Sequence, residues 1–219
     1  MKINIVYKGK DYNEIEKMAS TAYQEAEKFF DKKPESINIT VHKSRKDFEN
    51  KLKRITLEWE VANASYSGDI DILHPDCMAK ESTHEKNEFL SILKHEISHV
   101  FLDILSGGHK IPKWLNEGFS SFVAGFNISD EYIYIEEKFL KKLGTPRCWD
   151  ENSNYYAYKI SQMFVSFLVK EFSIEKVREL IFTLEKNYFY DNFSKNFEKI
   201  FGSNIEIMEK EFVKYINSK

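Results

Sequence analysis

Residues 93–101 read LKHEISHVF, with His95 and His99 four positions apart and Glu96 directly after the first. On an α-helix, side chains four apart stand one above the other, so the two imidazoles can aim at one point. Glu96 lies about 100° around such a helix from His95. It is close enough to reach a molecule held at that point, but turned too far to help hold it. Two ligands on one stripe with a carboxylate beside them are what a zinc hydrolase needs to bind its ion and draw a proton from water. From these residues alone the plainer alternative stays open, a half-exposed helix face whose histidines bind nothing.

Working outward, Phe89, Leu93, Ile97, Val100 and Ile104 recur at helical spacing and predict a helix over about 84–106. Gly107-Gly108 ends it, because glycine takes the left-handed conformation at a helix C-terminus without strain. Pro112 suits the first turn of a second helix, about 112–126. That helix carries IPKWLNEGFSSF, in which Glu117 lies eighteen positions after His99. Trp114, Leu115, Phe119 and Phe122 give it an apolar body, and Gly118 permits close approach of a neighbouring helix. A catalytic zinc site uses three protein ligands and keeps a fourth position for water. His95, His99 and Glu117 are the candidate ligands, and Glu96 is the candidate base.

Upstream, Ile3, Ile5 and Tyr7 alternate as in a strand, and a helix follows from Asp11, its expected N-cap, with Ile15, Met18, Ala19, Ala22, Tyr23, Ala26 and Phe29 on its apolar side. Ile37, Ile39 and Val41 alternate again, and Ser44 with Asp47 marks a short helix reaching about Ile55. LEWEVANASYSGDIDIL reads as two strands, roughly 57–66 and 69–73. Beyond Asp130 the pattern is helical near 130–143, 154–171, 173–187, 192–201 and 203–217. The fold class expected is therefore α+β: a small mixed β-sheet with the motif-bearing helix in the N-terminal half, and an all-helical C-terminal half. The subdomains are read as 1–128 and 129–219.

Composition narrows the function classes. The 219 residues are 42% hydrophobic and 31% charged, a globular mixture, with 18 Phe and 12 Tyr for bulky core packing. A net charge of −3 lacks the basic excess of a nucleic-acid-binding chain. No run approaches membrane-spanning length, and MKINIVYKGKDYN lacks a signal-peptide core. The expectation is a cytoplasmic protein with a peptide or protein substrate and no nucleic-acid or membrane partner; oligomeric state is not legible. Cys77 and Cys148 are compatible with free thiols or one bridge.

HEISH followed by WLNEGFSSF resembles the gluzincin group of zinc metallopeptidases, in which a glutamate on the following helix completes the metal site. WLNEGF is similar to the third-ligand segment of the zinc aminopeptidases, although the interval from His99 to Glu117 is one residue shorter than is usual there. It fits better the small bacterial peptidase MA-like domains, whose pattern resembles HExxH, a short loop and PxWLxEG. The resemblance spans about residues 35–215 and is specific at 95–99 and 112–119. It implies a zincin-like fold and a Zn2+-dependent peptidase, with zinc on His95, His99 and Glu117. The aminopeptidases carry a GxMEN-type segment that grips the substrate amino terminus; ANASYSGD stands in the comparable place here, which favours internal cleavage over removal of terminal residues.

In such a site Glu96 takes the proton of the attacking water and passes it to the leaving amine. A tyrosine from the helical half supplies a second electrophile; the resemblance favours Tyr158 in NYYAYKISQMFVSFL, with Tyr156 and Tyr155 as alternatives. Substrate is expected along the edge of the hairpin, near Ala64, Tyr66 and Asp69. His109, in the loop between the two motif helices, is read as an exposed loop residue ahead of a contact to the site. The rival readings are a catalytically silent binding module of the same fold and a regulatory HExxH protein. A structural site would be closed by four ligands and has no use for Glu96.

Overall fold

The computed structural model describes residues 2–65, 67–127, 135, 138–145, 147, 149, 155–184 and 190–217. Tyr66, Asp130 and Cys148 lie outside them, as does the side chain of Tyr155. The fold is α+β, with a four-stranded mixed sheet in the N-terminal half and helices in the C-terminal half. The chain divides into two compact units, Met1–Ile104 and Leu105–Lys219, where the sequence reading drew its line at 128/129.

In the first unit β1 (Lys2–Val6), β2 (Ser36–His42), β3 (Ala62–Ala64) and β4 (Asp69–Leu73) form a sheet of order β1-β2-β4-β3. β1, β2 and β4 are parallel, and β3 runs antiparallel at the edge. The helices of this unit are α1 (Tyr12–Glu27), α2 (Arg45–Leu52), α3 (Pro75–Glu81) and α4 (Phe89–Ser106), whose last two residues fall beyond the division. The alternation of β2 and β4 sorts the sheet into two faces. Ile37, Ile39, Ile70 and Ile72 are fully buried on one. On the other, Asn4 donates to Asn38 and Asn38 to Asp69, both at 2.8 Å, so a polar ladder crosses three strands. Hydrogen bonds from Ser67 and Asn38 hold the Asp69 carboxyl below its ordinary range.

Four expectations change on contact with the structure. First, LEWE is not a strand. Arg45 reaches under it and binds the carbonyls of Leu57, Glu58 and Glu60 at 3.1, 2.8 and 3.0 Å, so those groups never enter a ladder. β3 is left with three residues. Second, α2 stops at Leu52, where Lys53 turns left-handed (φ 57°); Ser44 caps its start through Asp47 N–H, as expected. Third, a short helix, α3, precedes the motif helix, opened by Pro75 and by His74, whose Nδ1 accepts from Asp76 N–H at 3.1 Å. Fourth, Asp11 stands at the N-cap of α1 without capping it. Its carboxylate instead accepts from the Tyr7 hydroxyl at 2.7 Å and meets His74 Nε2 at 2.6 Å, which hold its pKa down at about 2. Beyond α1 the turn inserts Phe30 rather than Phe29, stacking it on Phe101 of α4 with centroids 4.8 Å apart.

The second unit holds α5 (Lys113–Ala124), α6 (Phe139–Lys142), α7 (Tyr155–Glu171), α8 (Ile174–Phe182), α9 (Tyr190–Phe201) and α10 (Ile205–Asn217). Of the helix expected over 130–143 only α6 falls within the described residues, and α8 ends at Phe182 rather than 187. The phenylalanines form its core. Phe164 meets Trp114, Phe139 and Phe212 edge-on at centroid distances of 5.4, 5.8 and 5.2 Å. Such pairs contribute about 0.5–1.5 kcal/mol each beyond the area they bury. Among the described residues no helix is long and apolar enough to cross a membrane.

Glu209 of α10 is buried in this unit and accepts from Leu140 N–H at 2.8 Å; burial pushes its pKa from 4.5 up to about 7. The unfolded chain loses this proton first. Stability from Glu209 is therefore whole below pH 4.5, falls as pH rises toward 7, and is constant above. Glu209→Gln should flatten that slope in pH-dependent thermal melts and stabilise the protein by about 2 kcal/mol at pH 8.

Candidate metal centre

α4 begins at Phe89, after a 3-10 turn at Lys86–Glu88, rather than near 84, and ends at Ser106 as expected. Its interior residues Phe89, Leu93, Ile97 and Val100 are buried, while Ile104 is half-buried. Its polar side chains are sorted by position. Lys94 pairs with Glu25 of α1 at 2.9 Å, and Ser98 turns its hydroxyl back to the Lys94 carbonyl at 2.7 Å. His95 and His99 bring their Nε2 atoms to 3.0 Å, with ring planes at 86°. Two nitrogens on one tetrahedral zinc, each about 2.05 Å away, would stand roughly 3.3 Å apart. The pair therefore needs only a small opening to share an ion. Glu96 is buried beside it.

Glu117 is buried on α5, and one ligand atom from each of His95, His99 and Glu117 lies within 4.8 Å of the other two. Two imidazoles and one carboxylate are a donor set suited to zinc. The three residues named from sequence are thus brought together. Among the described residues this is the one group of His, Cys, Asp and Glu side chains so placed.

The orientation of Glu117 follows from the packing of α5. Trp114, Leu115 and Phe119 are fully buried. A Cβ placed on Gly118 would lie 2.4 Å from the backbone oxygen of Ser161 in α7, so the two helices meet there backbone to backbone. Turning Glu117 away would mean undoing that contact.

Two neighbours were not foreseen. Lys113, one helical turn before Glu117, pairs its Nζ with Glu117 Oε1 at 2.5 Å and lies 5.8 Å from the centroid of the Trp149 ring. Tyr158 packs edge-on against the same Trp149, centroids 4.9 Å apart. The i, i+4 spacing of Lys113 and Glu117 was readable in IPKWLNEG; nothing local in the sequence pointed to Trp149. Tyr158 is half-buried and Tyr156 is exposed. His109 is half-buried, with its Nδ1–H donating to the Leu184 carbonyl at 2.5 Å, which makes it an anchor of its loop. Of the expected rim residues, Ala64 ends the edge strand β3, and Asp69 is committed to Asn38 and Ser67.

No protein-family model matches the chain, and a search of curated proteins finds no match.

Two substitutions test this geometry. Gly118→Ala drives a methyl group into the Ser161 backbone, and should cost about 3 kcal/mol and lower Tm by roughly 6–12 °C in calorimetry. Lys113→Met takes the lysine from a buried carboxylate, and should destabilise the metal-free protein by about 1–3 kcal/mol, read by urea unfolding in the presence of a chelator.

Proposed function

We propose that this chain is a zinc-dependent metallopeptidase of the gluzincin type, closest in plan to the peptidase MA-like domains, cleaving peptide bonds inside extended chains. Ligand atoms of His95, His99 and Glu117 within 4.8 Å of one another support the reading best. A zinc ion on these ligands supplies a Lewis acid and a water of near-neutral pKa. Glu96, next to His95 on the helix, would be the base that takes a proton from the attacking water and returns it to the departing amine. Tyr158, braced against Trp149, is assigned the hydrogen bond to the developing oxyanion. Lys113 holds one Glu117 oxygen and so limits how that carboxylate can turn.

The substrate backbone is assigned to β3, which pairs with β4 on one side and forms an edge of the sheet. An extended peptide added there gains main-chain hydrogen bonds regardless of its side chains. The reading places the activity in the cytoplasm, a reducing compartment that suits the free thiol of Cys77.

The test pairs metal content with turnover. Wild-type protein should carry one zinc per chain by mass spectrometry and cleave casein. Glu96→Gln should keep the zinc and lose activity by a factor of about 10²–10⁴, whereas Glu117→Ala should lose both. One zinc per chain without cleavage of casein or a peptide library would overturn the peptidase reading in favour of a binding module.

A further inference from the structure

Residues 53–60, KRITLEWE, form a loop whose backbone is bound to the protein by Arg45 and Glu49 while its apolar side chains face water. Thr56 is buried, its N–H and hydroxyl both on Glu49 Oε1 at 2.9 and 3.1 Å, and its hydroxyl also takes Arg45 Nη1 at 2.7 Å. Arg45 binds three further carbonyls of the loop, those of Leu57, Glu58 and Glu60. The Glu60 carboxylate receives Leu57 N–H at 2.8 Å and two bonds from Arg54 at 3.0 and 2.7 Å. With its backbone held this way, the loop projects Ile55, Leu57 and Trp59 outward, 88%, 59% and 44% exposed. Single exposed apolar residues are ordinary, but three large ones at alternate positions on one braced loop mark a binding surface.

The surroundings indicate what kind of surface it meets. Residues 43–60 hold six basic and four acidic side chains, a net positive segment in a chain of net charge −3. Two of the acids, Glu49 and Glu60, are turned into the loop, whereas Lys43, Lys46, Lys51 and Lys53 are exposed, with Asp47 and Glu58 the exposed carboxylates. A tip of Ile, Leu and Trp flanked by lysines has the layout of a membrane interface, with apolar atoms among the acyl chains, an indole at the headgroups and cations over anionic lipid. Attachment of this kind needs no spanning helix.

We propose that loop 53–60 docks the protein on an anionic lipid surface, with Ile55, Leu57 and Trp59 entering the interface and Lys51 and Lys53 lying over the headgroups. This stands apart from the metal site and does not depend on it.

The chain carries its own probe. Of its three tryptophans, Trp114 and Trp149 are buried, so Trp59 is the one that lipid can reach. The full chain should co-sediment with phosphatidylcholine vesicles containing about one-third phosphatidylserine, and bind pure phosphatidylcholine at least about tenfold less. Brominated acyl chains should quench Trp59. Ile55→Ser with Leu57→Ser, and separately Lys51→Glu with Lys53→Glu, should each weaken partition by about tenfold or more while leaving Tm unchanged. Absence of partition overturns the proposal, as does absence of quenching or unchanged partition in the serine variant. A lipid-free dimer that the serine pair abolishes would assign the tip to a second copy of the chain, and also overturns it.

Discussion

A carboxylate cannot be buried without compensation, and the arrangement around Glu117 answers to that constraint. Removing such a charge from water costs several kcal/mol unless a partner receives it. α5 buries Glu117 because the same helix face carries Trp114 and Gly118, one in the aromatic core and the other against the α7 backbone. Rotating the helix to give Glu117 to water would expose an indole and open a helix contact. The charge is met where it stands, by Lys113 from the preceding turn, and a divalent cation would meet it more completely. A side chain built on a core helix inherits the rigidity of the core, which is what the proposed role of Glu117 as a metal ligand calls for.

The other histidines sharpen this reading. His42 lies on Asp71 at 2.7 Å, both buried, and His74 on Asp11. His84 has its Nε2 3.1 Å from the Trp59 carbonyl, and His109 binds the Leu184 carbonyl. Each meets an oxygen acceptor of its own, the ordinary fate of a structural histidine. His95 and His99 turn ring nitrogen toward ring nitrogen. Two neutral imidazoles can share one proton in that geometry, and a cation satisfies both lone pairs at once.

Much of this was legible in the sequence because it depends on local periodicity. The end of α4, the left-handed glycines at 107 and 108 (φ 66° and 75°), the Ser44 cap and the close approach at Gly118 all follow from spacing and residue type within one or two turns. The proximity of His95, His99 and Glu117 was legible because two short-range patterns, HEISH and WLNEG, were joined by a loop too short to carry them far apart. What was missed depends on side chains arriving from elsewhere. Asp11 has the residue type and position of an N-cap, yet Tyr7 and His74 claim its carboxylate. Trp149 lies more than thirty residues from Lys113 in the chain. No window of sequence long enough to define a helix contains His74 with Asp11, or Trp149 with Lys113.

The strand expected at LEWE failed for a more general reason, which also explains the exposed loop. Alternating Ile55, Leu57 and Trp59 is the pattern of a half-buried strand, but a strand needs a neighbour to take its backbone groups. Arg45 sits at the first turn of α2, where its own N–H goes to Glu81, and its guanidinium reaches the loop carbonyls before any strand can. Planar and permanently charged, it can bind several oxygens at once. With the backbone satisfied from beneath, no sheet face remains to cover the alternate apolar side chains. The alternation that suggested burial is thus kept, with its apolar side facing outward. One cation on the neighbouring helix leaves the start of the expected strand as an exposed apolar tip.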